Sequence, residues 1–141
     1  MLSAGTDRAA AIAAFDASLK AKPDWVLSGY ASWGAARAAS LAAKHQEVIA
    51  RAATIPTDHA IAAEARLLAA DSYAELGNAM RAMEIWREHL ASKPRPIRWA
   101  EVALRLAGHL LEGSPTDEQA KEALRLARRV QVEAPGFQAS R

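Results

Sequence analysis

Between Tyr73 and Pro94 the sequence reads YAELGNAMRAMEIWREHLASKP, and Tyr73, Gly77, Ala82, Trp86, Leu90 and Pro94 follow one another at steps of four, five, four, four and four residues. Steps of four stay on one face of an α-helix, because about 3.6 residues complete a turn. The step of five spans Gly77, a residue able to take the left-handed conformation that closes a helix. The spacing predicts a pair of antiparallel helices. Tyr73 lies on the first, and Ala82 sits where the two cross, with room only for a methyl group. Trp86 and Leu90 continue the buried stripe of the second, and Pro94 ends it.

The remainder of the chain carries the same punctuation. A helix is expected over TDRAAAIAAFDASLKAKP, with Thr6 or Asp7 as N-cap, Ala11, Phe15 and Leu19 on one stripe, and a stop before Pro23. DWVLSGYASWGAARAAS starts a second at Asp24, broken near Ser40 from LAAKHQEVIARAATIP, which stops before Pro56. DHAIAAEARLLAADSYAEL runs to Gly77, AMRAMEIWREHLAS to Pro94, and IRWAEVALRLAGHLLE to Gly113. SPTDEQAKEALRLARRVQVEA then runs to Pro135, with Ser114 read as N-cap before proline at the first helical position. No segment alternates apolar and polar residues as a strand would, so the expectation is all-α, with about seven antiparallel helices.

A chain of 141 residues, 51% hydrophobic, can bury one core. Much of that fraction is alanine and only 6% of residues are aromatic, which describes closely stacked helices with thin cores. Net charge is +2, with the basic excess after Lys93, too little to imply nucleic acid as a partner. With no cysteine, disulfides, thiolate metal sites and cysteine nucleophiles are excluded. AAAIAAF is too short for a membrane span.

The Tyr73–Pro94 pattern resembles the tetratricopeptide repeat, a unit of about 34 residues with Gly, Tyr, small Ala, an aromatic and Pro at set positions. The clear copy is Ala63–Pro96, departing from the pattern at Ala70, where the repeat usually has its first glycine, and at Arg66, where it often has tryptophan. AIAAFDASLKAKP repeats the second half with Ala11, Phe15, Leu19 and Pro23, and ALRLARRVQVEAP with Ala123, Ala127, Val130 and Pro135. Gly113 to Ala123 is five residues longer than Gly77 to Ala82, which calls for an extended turn or helix. The resemblance implies a right-handed α-α superhelix over residues 1–141, as a fragment of a longer solenoid.

The segment from Tyr30 to Leu111, with its Ala-rich first helix, IPTDHA link, tetratricopeptide-like pair and KPRPIRWAE, is similar to the α-superhelical region of soluble lytic murein transglycosylases. That family's catalytic domain carries a glutamate followed by serine, a pair this chain lacks; SWGA at Ser32–Ala35 copies only a scrap of a downstream family segment. The resemblance implies a non-catalytic, periplasmic scaffold that positions an enzyme on peptidoglycan or docks partners. The alternative is a stand-alone adaptor for partner peptides.

Candidate residues follow from the helix faces. The inner face of the central repeat would carry Glu64, Leu67, Asp71 and Glu75, and that of the next would carry Arg98, Glu101, Arg105 and His109. Either the acidic and basic stripes neutralise each other, or they form a groove in which Arg98 and Arg105 are free to hold a ligand's carboxylates. Tyr30, Trp33 and Arg37 share a face that would suit sugar or peptide stacking, unless Trp33 is core. His45, His59, His89 and His109 have no metal spacing, and Met80 and Met83, read onto the buried stripe, need no cofactor. Gly29 and Gly34 match no phosphate-cradling pattern, and close helix packing explains them. The apolar faces of the Thr6–Lys22 and Ser114–Ala134 helices are expected to drive self-association.

Overall fold

The structure is a computed structural model that describes residues 4–21, 25–92 and 96–139. The described residues form eight α-helices and no strand, and the chain divides into two compact units, Met1–Ala82 and Met83–Arg141. Pro23, Asp24 and Pro94 lie outside the described residues, as do the side chains of Phe15 and Leu19.

In the first unit α1 (Ala4–Ala21) packs on α2 (Trp25–Leu41), and α2 packs on both α3 (His45–Ala53) and α4 (Ala62–Glu75). Its cores are small, as the composition requires: Ile12, Ala38, Ala39 and Val48 form one, and Ile55, Ala62 and Ala65 with Trp33 alongside form another. Ion pairing ties α1 to α3. Arg51 donates from both terminal guanidinium nitrogens to the two carboxylate oxygens of Asp16, Nη2 at 2.9 Å, and also reaches Glu47 at 3.3 Å. These bonds, that to Asp16 foremost, raise the Arg51 pKa above its ordinary value.

α5 (Ala79–Ala91) runs across the boundary between the units. In the second unit α6 (Trp99–Leu110) packs on α7 (Asp117–Glu133), and the short α8 (Pro135–Ala139) closes on α7. Ala100, Ala103 and Val130 make the core here, with Leu90, Leu104, Leu126 and Phe137 packed around it. Arg87 of α5 grips Glu122 of α7 through paired bonds of 2.8 and 3.0 Å, holding the carboxyl below its ordinary value of 4.5.

The helix ends explain where the sequence reading held. Gly77 has φ +86°, its N–H donates to the Ala74 carbonyl, and the Asn78 N–H donates to the Tyr73 carbonyl. That is the paired-bond Schellman ending. Asn78 then caps α5, its side-chain oxygen accepting from the Arg81 N–H at 3.3 Å. Ala82 is wholly buried and Trp86 is 1% exposed, as the spacing predicts.

Four expectations are corrected. The break after α2 falls at residues 42–44 rather than near Ser40, and Leu41 ends α2 instead of opening α3. Ala43 takes the left-handed conformation there (φ +58°) and makes the same Schellman bonds as Gly77, a glycine position filled by alanine. α1 begins at Ala4, so Thr6 and Asp7 lie within its first turn rather than capping it. α7 is capped by Thr116, not Ser114: the Thr116 hydroxyl accepts from the Gln119 N–H while the Gln119 side chain accepts from the Thr116 N–H, a reciprocal box that Ser114 cannot form. Met80 is 75% exposed, because the buried stripe of α5 runs through Ala82, Ile85, Trp86 and His89.

Candidate functional site

The three faces named from the sequence resolve differently. On α4, Glu64 and Asp71 are half-buried and Glu75 is exposed, but Leu67 between them is buried and belongs to the interior. Glu64 lies in the first turn, where the helix dipole favours a negative charge. Glu75 is the last residue of the helix, at the carbonyl end, where the dipole opposes it.

On α6 the basic stripe is built around a carboxylate of its own. Arg98, in the left-handed conformation at the N-cap (φ +56°), donates through Nε and Nη2 to the two oxygens of Glu101 at 2.9 and 2.8 Å. Arg105, one turn beyond, reaches the same Glu101 carboxylate at 3.3 Å. Two guanidinium groups therefore share one carboxylate. The expectation that Arg98 and Arg105 are free to hold a ligand's carboxylate is corrected: Glu101 already occupies them. Spacings of three and four residues between Arg98, Glu101 and Arg105 signal this pairing in the sequence itself.

His109 does not simply continue that stripe. It is half-buried, its ring tilted against Trp86 at 5.0 Å. Its buried Nδ1 is 3.4 Å from a Glu112 carboxylate oxygen, without the alignment of a hydrogen bond.

On α2, Tyr30 is exposed while Trp33 is half-buried against Ile55, Ala62 and Ala65, so Trp33 is chiefly a packing residue. The Arg37 guanidinium lies 5.9 Å from the centre of the Trp33 ring, at the outer reach of a cation–π contact. Tyr30 stands edge-on to the ring of His59 at 4.8 Å.

His59 explains why this face is ordered, and the sequence reading overlooked it. The side chain is buried in the α3–α4 connection, where Nδ1 accepts from the Ile61 N–H at 3.1 Å. Nε2 must then carry the hydrogen, and it donates to the Val26 carbonyl at 2.9 Å. The ring lies directly on Gly29, where a Cβ would come within 2.3 Å of it. Beside it, the Thr54 hydroxyl is 2.7 Å from the Arg51 carbonyl and 3.0 Å from Ser32 Oγ. With one hydrogen, Thr54 donates to the carbonyl and accepts from Ser32.

The other histidines are also structural. His45 bonds Ser72 Oγ at 3.2 Å, and buried His89 donates from Nε2 to the Ile97 carbonyl at 2.7 Å. Among the described residues no three His, Asp or Glu side chains gather as a metal site would require, and no helix is long and apolar enough to cross a membrane. Compared with protein-family models, curated proteins and solved structures, the chain matches none.

Proposed function

We propose that the chain is a tetratricopeptide-like helical-repeat module that holds a binding partner and performs no chemistry of its own. The observation that carries this reading is the Tyr73–Ala91 unit, in which a Schellman ending at Gly77, an asparagine cap and the fully buried Ala82 follow one another at the repeat's spacing. Within it, the favoured role is that of the superhelical scaffold of a cell-wall lytic transglycosylase-like protein. The support is the order of segments from Tyr30 to Leu111, and the partner is a peptide or a peptidoglycan fragment bearing carboxylates.

The Arg98–Glu101–Arg105 cluster supplies the chemistry for such a ligand. An incoming carboxylate would compete with Glu101 for the two guanidinium groups, so binding is an exchange of partners. The test is a titration of the chain with soluble muropeptides and with a mixed peptide library, repeated with Arg98 and Arg105 both changed to alanine. Binding of muropeptides that the double change abolishes, with helicity intact, supports the reading. Binding of peptides alone moves it to the adaptor role. Absence of binding, or a double change that only lowers stability, assigns the cluster to structure, and release of products from purified peptidoglycan by this chain would overturn the non-catalytic reading.

A further inference from the structure

α7 divides its surface three ways. Ala123 and Val130 are buried, Val130 together with Ala100 and Ala103 of α6 and with Leu126 alongside. The flanks are matched charge for charge: Glu122 is held by Arg87, and Arg129 pairs with Glu133 at 2.8 Å while its guanidinium lies 5.1 Å from the centre of the Trp99 ring. The third face carries Lys121, Leu124, Arg125, Arg128 and Val132, all exposed, at helical steps of three and four.

This third face breaks the rule that governs the flanks. Among the described residues, no carboxylate lies within ion-pair distance of Arg125 or Arg128: Arg125 acts on Glu122 only as a more distant charge, since Arg87 holds that carboxylate, and Lys121 has only Glu118 at 3.9 Å, both side chains largely exposed. Three cations against one carboxylate give the strip an excess of two, as much as the net charge of the whole chain. Like charges three and four residues apart on a helix repel, so the strip works slightly against the helix that bears it. The helix stands on other support, namely the Thr116–Gln119 capping box and Asp117 and Glu118 in the first turn. Between these side chains lies a shallow depression of about 310 Å³ lined by Glu118, Lys121, Leu124, Arg125 and Arg128. Leu124 is the apolar residue of this lining, and Val132, 78% exposed, stands two turns further on.

We infer that this face docks an acidic amphipathic helix of a partner protein. Carboxylates on that helix spaced four and three residues apart would meet Lys121, Arg125 and Arg128, and apolar side chains on the same face would cover Leu124 and Val132. Charge complementarity selects the occupant. A second copy of α7 would set cation against cation, which argues against this face as the place for the self-association expected of the Ser114–Ala134 helix. A nucleic acid backbone would satisfy the cations but leave Leu124 and Val132 uncovered. The surface lies on α7, apart from the Arg98–Glu101–Arg105 cluster of α6, and does not depend on that cluster binding anything.

The experiment is fluorescence anisotropy of the whole chain with a labelled synthetic helical peptide carrying Glu at positions i, i+4 and i+7 and Leu at i+3 and i+11. A scrambled peptide of the same composition, phosphatidylglycerol vesicles and a twenty-base-pair DNA duplex serve as comparisons. The expected result is saturable binding of the ordered peptide at least tenfold tighter than of the scrambled one. Arg125→Glu with Arg128→Glu should weaken it tenfold or more, and Leu124→Ser several-fold. Leu124, Arg125 and Arg128 are exposed, and circular dichroism of each variant confirms its fold. Equal binding of ordered and scrambled peptides, indifference to the α7 substitutions, or preferential binding of vesicles or DNA overturns the inference.

Discussion

Gly29 occupies the interior of α2, where replacing glycine by alanine ordinarily stabilises a helix by roughly 0.5–1 kcal/mol. Here the sign should reverse. A Cβ on Gly29 would lie 2.3 Å from both Cδ2 and Nε2 of His59, and 3.0 Å from Cε1. Carbon atoms in ordinary contact are about 3.5–4.0 Å apart, so the ring would have to retreat by more than ~1 Å. It has little freedom to do so, being 5% exposed and held at both nitrogens by Val26 and Ile61. Overpacking typically costs about 1–3 kcal/mol, and loss of the two hydrogen bonds about 1 kcal/mol each. Set against the helix-propensity gain, Gly29→Ala should lower stability by roughly 1–3 kcal/mol. Urea unfolding followed by circular dichroism measures this directly. The decisive arm is the double-mutant cycle: with His59→Ala in place, Gly29→Ala should become neutral or favourable. If Gly29→Ala leaves the wild type as stable as before, or costs as much without the imidazole as with it, the seat of His59 on Gly29 is not what fixes this glycine.

Gly108, in α6 with open space where a Cβ would go, provides the matching control, and Gly108→Ala should raise stability by about 0.5–1 kcal/mol in the same assay. Ala43→Gly should stabilise and Gly77→Ala destabilise, each by on the order of 1 kcal/mol, because both positions are left-handed; a shared sign in their urea midpoints would refute the assignment. The Glu122 carboxyl is held below 4.5 in the folded chain by Arg87, so its contribution is present above the unfolded value and disappears as pH falls through the folded one. Because both side chains are partly exposed, that contribution is on the order of 0.5 kcal/mol, and in urea unfolding the stability gap between wild type and Glu122→Gln should close as pH falls below the unfolded carboxyl value and through the lower folded one. Glu101→Gln removes the carboxylate that Arg98 and Arg105 share, so it should tighten any carboxylate ligand of that cluster several-fold in the muropeptide titration; unchanged affinity would detach the cluster from binding.

The fold was legible where single residues dictate backbone geometry. Gly77 and Gly113 both take positive φ at the helix ends read from the sequence, and the order of seven helices follows from such punctuation, with only the short α8 added, starting at Pro135 itself. Boundaries slipped where two signals competed. Ser114–Pro115 and Thr116–Gln119 both announce a helix start, and the reciprocal hydrogen bonds of the second prevail. At Ala43 the helix ends on a residue that gives no signal at all. The candidate faces were legible only as faces. Helical spacing places Arg98, Glu101 and Arg105 together, but which charges consume one another depends on side-chain direction, as the bidentate grip of Arg98 on Glu101 illustrates. His59 gave no signal because its partners, Val26 and Gly29, lie on another helix.

Pairing between helices is what marks charge that holds the fold in a chain of this composition. Ala35, Ala36, Ala39, Ala70 and Ala82 are wholly buried, so neighbouring backbones meet across methyl groups and each helix buries little apolar area. Ties such as Arg51–Asp16 and Arg87–Glu122 then connect elements far apart in sequence, α1 to α3 and α5 to α7. A guanidinium that serves the fold in this way has its carboxylate beside it. Arg125 and Arg128 differ: they stand on an exposed face whose apolar members are uncovered, on a helix already capped and packed. Removing a tie should therefore lower stability, whereas removing the α7 cations should leave stability intact or raise it slightly by relieving repulsion. That opposition makes their role accessible to experiment without disturbing the fold.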